Sequence, residues 1–349
     1  MIKFACIKDP HYKFGFSNSI RRNYNEDIFN KNKQLIQILK DERVNHLLIP
    51  GDVFDESYGN KWRFQAYQIN KEILKEFLDN MIQIIAIPGN HDYFDGYEDS
   101  ARLITVGDEK IYQYTVYGDM VNAEIIKDVS YTTEHPKSIH GIIINNIYIT
   151  GVRYRSDLNI VRNELEEINS KVKSLGIDKV IVMLHQNVTL KSVSHITEFT
   201  YDELSREYPN IDVFLLGHYH IGYEPMKVNN TWFINPYNFT RVNRDYEVRL
   251  DEHIPEVAII EIDNDEIKVK QIKLKVKPFK DTFIDEYREF LKLSKESFKD
   301  ENIDINLDDD ILNVSDEEII SIVSKKYKLN TPDVINYVTG VMNNLKTQG

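Results

Sequence analysis

Cysteine is nearly absent: Cys6 is the only one in 349 residues. One thiol allows no internal disulfide, which suits a reducing cytoplasm. It also excludes the thiolate clusters of structural zinc sites. Cys6 lies within the apolar segment Ile2–Ile7, where a thiol reads as a small core residue. No apolar stretch reaches the roughly 20 residues of a membrane-spanning helix, so no membrane partner is expected. The N-terminus runs directly into a strand-like segment, with no basic region followed by a long apolar core, and no signal peptide is expected. Positive charge is also in deficit. The net charge is −13, which by itself speaks against a nucleic-acid partner. The deficit is uneven, however. Residues 281–349 hold 15 acids and 8 bases, leaving −6 for the preceding 280. Two bound divalent ions would add about four positive charges where acidic ligands gather, so the total decides nothing about DNA.

What is present is a series of apolar runs that end in polar ligands. Ile2–Lys8 leads to Asp9-Pro10-His11, two potential ligands on one side of an extended chain. Val44–Ile49 leads to Gly51-Asp52-Val53-Phe54-Asp55, and Met81–Ile87 to Pro88-Gly89-Asn90-His91-Asp92. Lys179–Leu184 leads to His185-Gln186-Asn187, and Ile211–Leu216 to Gly217-His218-Tyr219-His220. Thr231–Ile234 runs into Asn235-Pro236-Tyr237-Asn238. Helical periods over 24–41, 61–79 and 158–175 separate these strands, so the chain reads as layered α/β. Ligand sites of such sheets lie beyond the carboxyl ends of the strands.

A short helix is predicted near Ser100–Thr105, followed by loops and short strands to residue 139. His135 and His140, in that region, read as structural. Gly141–Gly151 reads as a hairpin turning at Asn145-Asn146. Glu256–Lys275 reads as another, around Asn264-Asp265, and its continuation carries six lysines between Lys268 and Lys280. That lysine face could follow a phosphate backbone or be a solvated edge strand. Tyr12, Lys13, Phe14 and Phe16, followed by Arg21-Arg22, could stack on nucleic acid or pack as a loop. Towards the C-terminus, Thr282–Phe298 is amphipathic, Asp300–Asp310 is an acidic linker, and Ser315-Asp316-Glu317-Glu318 is a capping box. This tail could dock on a partner or pack on its own domain.

The mixed Asp, His and Asn set at the strand ends suits two borderline divalent ions such as Mn²⁺, Fe²⁺ or Zn²⁺. A two-metal site can clamp a phosphate and activate water for in-line attack.

These motifs together resemble the five-block signature of calcineurin-like metallophosphoesterases over roughly residues 1–240. That resemblance implies a four-layer α/β/β/α sandwich. It implies Asp9, His11, Asp52 and His220 on one metal, and Asn90, His185 and His218 on the other, with Asp52 bridging. His91 would contact the phosphate and assist the leaving oxygen, Asp92 would orient His91, and Asp55 would support the ligands from outside. Within the superfamily the chain is similar to the SbcD-like nuclease branch, through His185-Gln186-Asn187, Thr150-Gly151-Val152-Arg153-Tyr154 and Arg22…Asp27-Ile28-Phe29. Pro236-Tyr237-Asn238 departs from that branch, which carries Pro-Gly-Ser there.

The resemblance implies a Mn²⁺-dependent DNA nuclease and a homodimer built through helices near 61–105. It also implies an SbcC-like ATPase whose coiled coil is gripped by residues 281–349. Arg22, Arg153 and Arg241 are the expected substrate contacts. The expected divisions are a core over 1–245, a β-hairpin extension over 246–280 and a helical tail over 281–349. The alternative is a stand-alone phosphodiesterase or phosphatase acting on small phosphoesters.

Overall fold

The computed structural model describes residues 1–12, 24–55, 60–92, 103–106, 109–112, 115–131, 141–172, 174, 176–192, 197–240, 254–263 and 266–277. The chain divides into two compact units. One comprises Met1–Gly15, Ile28–Arg241 and Ile254–Lys275; the other comprises Phe16–Asp27, Val242–His253 and Val276–Gly349. The first carries both sheets and the site. His135, His140, Arg22, Arg241 and the tail over 281–349 lie outside the described residues.

Sheet one begins with β1 (Ile2–Cys6), β2 (His46–Pro50) and β3 (Gln83–Ile87), with helices α1 (Tyr24–Glu42) and α2 (Asn60–Asp79) between them. Next come a small antiparallel pair, β4 (Leu103–Val106) and β5 (Glu109–Tyr112), then α3 (Val116–Asn122) and β6 (Ile126–Asp128). Sheet two follows with β7 (Ile142–Ile144), β8 (Ile147–Val152), α4 (Leu158–Val172) and β9 (Lys179–Gln186). After it come the short β10 (Val188–Thr189) and β11 (Phe199–Thr200), then α5 (Tyr201–Glu207), β12 (Val213–His218), β13 (Tyr223–Val228) and β14 (Thr231–Asn235). The chain then returns with β15 (Glu256–Asp263) and β16 (Glu266–Lys273).

Sheet one has the order β16-β15-β1-β2-β3-β6 and sheet two the order β13-β14-β12-β9-β8-β7. β1, β2, β3 and β6 are mutually parallel, as are β8, β9, β12 and β14. Antiparallel strands lie at the margins. The terminal hairpin joins sheet one through β15 against β1, in register from Ile2↔Ile262 to Cys6↔Ala258.

Period-two alternation sends each strand's apolar residues to two faces, and both are buried, which is why these runs read as continuous. Phe4, Cys6, Leu48, Ile85 and Ile87 of sheet one share a core with Ile149, Ile181, Met183, Leu215 and Ile234 of sheet two. On the far face of sheet two, Val182, Leu184, Phe214 and Leu216 pack with Val161, Leu165 and Ile168 of α4 and Leu204 of α5. On the far face of sheet one, Ala5, Leu47, Ile49 and Ile84 are equally buried, as are the inward stripes of α1 (Ile28, Leu35, Leu39) and α2 (Leu74, Phe77). The result is the expected α/β/β/α sandwich.

Two local expectations differ. The helix expected near Ser100–Thr105 gives way to β4 over Leu103–Val106, paired with β5. Leu-Ile-Thr-Val is β-branched enough to favour a strand once a partner is in reach. The stretch expected to be loops and short strands also contains α3, started by Thr115, whose hydroxyl accepts the Gly118 N–H. The Asn145-Asn146 turn has both residues at positive φ, 47° and 64°, as a two-residue hairpin turn requires.

The lysine face lies on the edge strand β16. Lys268 pairs with Glu266 at 3.1 Å and Lys270 with Glu42 of α1 at 2.7 Å, while Lys3 bridges Glu42 and Glu261 at 3.5 Å each. Lys268 and Lys270 are thus partnered within the sheet's own rim.

Candidate metal centre

All the predicted ligands lie just past the carboxyl ends of the central parallel strands. Asp9 and His11 follow β1, Asp52 follows β2, and Asn90 and His91 open a 3₁₀ turn (Asn90–Asp92) after β3. His185 and His218 are the last or nearly last residues of β9 and β12. Tertiary packing sets the two families of strand ends against each other. The loops after β1 and β2 are tied together by His11 N–H donating to Asp52 O (3.0 Å) and Tyr12 N–H to Val53 O (2.8 Å).

The backbone is strained where the ligands sit. Asp9, His11, Asp52 and His218 have φ of 43°, 45°, 47° and 74°. A left-handed conformation costs a non-glycine residue about 1–3 kcal/mol and persists only where the surroundings over-determine it, characteristically at functional sites.

Two clusters share one carboxylate. His11, Asp52 and His220 offer ligand atoms within 4.8 Å of one another, and so do Asp52, His185 and His218. Asp52 Oδ1 accepts the His91 backbone N–H at 2.9 Å. Its Oδ2 is left pointing between His185 Nε2 (3.3 Å) and His11 Nε2 (3.6 Å). Asn90 Oδ1 lies 2.9 Å from His218 Nδ1 and 3.2 Å from His185 Nε2. Asp9 is fully buried; its Oδ1 accepts the His218 N–H at 3.3 Å and its Oδ2 is buried without a hydrogen-bond partner.

The residues fit divalent ions. His185 Nδ1 is 2.7 Å from Pro50 O, a contact that requires the proton on Nδ1. Nε2 then faces two oxygens, Asp52 Oδ2 at 3.3 Å and Asn90 Oδ1 at 3.2 Å, between which either a proton or a metal ion must lie. Backbone-anchored imidazoles of this kind are the usual metal ligands. Electrostatics agree. Burial pulls His185 down, but the Asp52 and Asp9 carboxylates and Pro50 O outweigh it, to about 9. The cluster thus demands positive charge at that nitrogen. Burial pushes His11 and His218 down to about 3, so both are neutral. Burial alone would raise Asp52, yet the imidazoles of His185, His91 and His11 hold it well below the usual carboxylate range.

Glycine lets the sheets approach this closely. A Cβ on Gly217 would lie 2.0 Å from Pro50 O and 2.6 Å from His185 Nδ1; one on Gly89 would lie 2.2 Å from Asp52 Oδ1. Gly217→Ala is therefore expected to lower the melting temperature by several degrees, since overpacking costs about 1–3 kcal/mol. The rise in melting temperature that divalent ions produce should also shrink. A thermal melt with and without Mn²⁺ checks both.

His91 lies at the edge of the clusters, its ring 4.8 Å from that of His11. Its Nδ1 is 3.4 Å from Asp55 Oδ1. Burial lowers its pKa, but Asp52 and Asp55 raise it to about 9. Asp92, expected to orient His91, is placed otherwise. Its carboxylate accepts the backbone N–H groups of Val53 (3.1 Å), Phe54 (2.8 Å) and Gly89 (2.9 Å), stitching the Asp52 loop to the 3₁₀ turn. Burial and nearby Asp52 push it up to about 7, against the pull of those donors. Asp55 occupies the place beside the ring.

Of the expected substrate contacts, Arg153 is buried and acts on Asp128. Two neighbours escaped the sequence reading. Tyr154, in the quoted motif, sets its ring 5.1 Å from that of His218. Lys8 is fully buried one residue before Asp9; the signal was a charged residue ending an apolar strand.

A two-sheet α/β sandwich that gathers imidazoles and carboxylates at its strand ends has the residues to hold divalent metal ions. The calcineurin-like phosphoesterase family matches residues 2–222, and the chain belongs to it. The DNA double-strand break repair protein Mre11 of Sulfolobus acidocaldarius is 28% identical over 174 residues, covering 48% of this chain and 38% of that protein. The chain thus matches well under half of that relative's length. Similar solved structures include a dimetal phosphatase from Danio rerio (13% identity, TM-score 0.46, covering 79% of this chain and 99% of that one). Another is the calcineurin-like phosphoesterase YfkN from Bacillus subtilis (14%, TM-score 0.44, 84% and 96%). Among the described residues no helix is long and apolar enough to cross a membrane.

Proposed function

We propose that the protein is a two-metal phosphodiesterase acting on DNA, the nuclease subunit of a complex with an SbcC-like ATPase. The observation that carries the hydrolytic part is Asp52, one carboxylate common to two ligand clusters. In this reading Asp9, His11, Asp52 and His220 hold one divalent ion, and Asn90, His185 and His218 hold the other with Asp52. Such ions, with Mn²⁺ the expected metal, would polarise the phosphoester and activate the attacking water. Asp52, held well below the usual carboxylate range, supplies fixed negative charge, and His11 and His218 supply neutral nitrogen donors. His91, at the edge of the clusters, would donate a proton to the leaving oxygen, and Asp55, 3.4 Å from its Nδ1, would orient its ring.

The DNA part is supported by the 28% identity to a protein named for DNA double-strand break repair. The amphipathic sequence pattern of residues 281–349 supports a partner-binding tail, and α2 (Asn60–Asp79) would pair two copies. A second reading, a phosphodiesterase for small phosphoesters, is favoured by one observation: Lys268 and Lys270 are taken up by Glu266 and Glu42. That takes up two of the six lysines that a phosphate backbone would follow.

The test compares single-stranded DNA, a blunt duplex and a chromogenic phosphodiester with Mn²⁺, using the full chain and a form lacking 281–349. DNA cleavage by the full chain is expected, with small-ester hydrolysis unchanged by the deletion. Turnover of small phosphoesters alone, even with the ATPase partner added, would establish the second reading. Loss of small-ester hydrolysis on deletion would make the tail part of the core.

A further inference from the structure

Lys8 has no place in the chemistry described so far, yet its position is expensive. Its side chain is fully buried, and an ammonium in the interior is tolerated only when its protons are all engaged. Nζ donates to Tyr219 O at 2.7 Å and to Asn235 Oδ1 at 2.6 Å, and lies 3.5 Å from Ile221 O. The Asn235 amide donates in turn to Ile221 O at 3.1 Å. The Lys8 backbone is anchored as well, its carbonyl accepting the Phe239 N–H at 2.8 Å.

Tyr219 and Ile221 flank His220. Tyr219 O lies in the peptide plane that enters His220, and Ile221 O in the plane one residue beyond it, so a donor at these carbonyls pins the chain just before and just after His220 and limits the directions its side chain can take. His218, at the other end of the turn, is held by different groups: its N–H by Asp9 Oδ1 and its ring by Asn90 Oδ1. The turn therefore has separate supports for its two histidines. The group that completes the Lys8 contacts, Asn235, opens the Asn235-Pro236-Tyr237-Asn238 turn.

We propose that Lys8 is a positioning residue for His220. It aims that imidazole at His11 and Asp52, with which it forms one ligand cluster, and thereby sets the affinity of one metal ion and not the other. The inference rests on the two-metal reading above.

Mn²⁺ titration of the full chain, followed by calorimetry and electron paramagnetic resonance, tests it. Wild type should show two binding classes, and His220→Ala identifies the class that depends on His220. Lys8→Met is expected to weaken that same class at least about tenfold, as supporting residues around metal ligands do, while the other class keeps its affinity. Lys8→Met added to His220→Ala should weaken the remaining class no further. Asn235→Ala, which keeps both carbonyl contacts of Lys8, should weaken the same class by a smaller factor and serves if Lys8→Met does not fold. Equal weakening of both classes, or unchanged binding in Lys8→Met or Asn235→Ala, would overturn the proposal. A wild-type protein without two classes would instead overturn the two-metal reading beneath it.

Discussion

Asp52→Asn is expected to lower kcat/KM on any phosphoester substrate by about 10³-fold or more. The change is nearly isosteric, so the fold should persist: the amide oxygen can still accept the His91 N–H. The other oxygen is the one that matters. Oδ2 stands between His185 Nε2 and His11 Nε2, and an amide NH₂ there turns an acceptor into a donor and deletes the charge shared by both clusters. Charge stabilisation by metal ions is worth several kcal/mol, and each ~1.4 kcal/mol is a factor of ten in rate. Steady-state kinetics on a chromogenic phosphodiester, with metal content measured on the same sample, provide the check. A variant that binds two ions and keeps a tenth of the activity would remove Asp52 from the centre of the mechanism.

His91→Ala separates chemistry from metal binding. His91 belongs to neither of the two clusters that share Asp52, so both ions should remain bound. The rate should still drop by about 10²–10⁴-fold, the usual contribution of a positioned proton donor. Asp55→Asn and Asp92→Asn then distinguish the two acids near it. Asp55 lies 3.4 Å from the ring, so its loss should lower the rate and shift the alkaline limb of the pH profile to lower pH, because the carboxylate raises the His91 pKa. Asp92 accepts three backbone N–H groups, so its replacement should lower the melting temperature first. If Asp92→Asn melted like wild type while its pH profile moved, Asp92 and not Asp55 would be the orienting acid.

The contrast between those two acids shows where sequence reading stops. Asp92 directly follows His91, and the family resemblance implied that it orients the ring. In a 3₁₀ turn, however, neighbouring side chains point in different directions, and Asp92 turns inward to the loop after β2. Asp55 reaches His91 across a gap of 36 residues only because β2 and β3 are hydrogen-bonded neighbours. The same logic applies to β16. The lysine alternation was legible, but Glu42, which neutralises part of it, comes from the end of α1. In α5 the signal was present and unread: Thr200 and Glu203 form a reciprocal capping box. For β4 the short window Leu-Ile-Thr-Val was compatible with either structure, and β5 decided it.

By itself the sequence determined the order of strands and helices, their apolar periods, and the residues that stand at strand ends. Each of these is local: periodicity, breakers and caps act within a few residues. A layered α/β fold and a gathering of Asp, His and Asn at the strand ends follow from them, because parallel strands place their carboxyl ends together; the α/β/β/α sandwich and the division of ligands between two ions came from the family resemblance. Only the tertiary structure decided that Asp52 serves two clusters, that Asp55 and not Asp92 faces His91, that Arg153 is buried, and that Lys8 holds the turn bearing His220. Those outcomes depend on which strand lies beside which and how closely glycines allow the sheets to meet. Distances of a few ångströms between residues far apart in the chain are set by packing, and no local pattern encodes them.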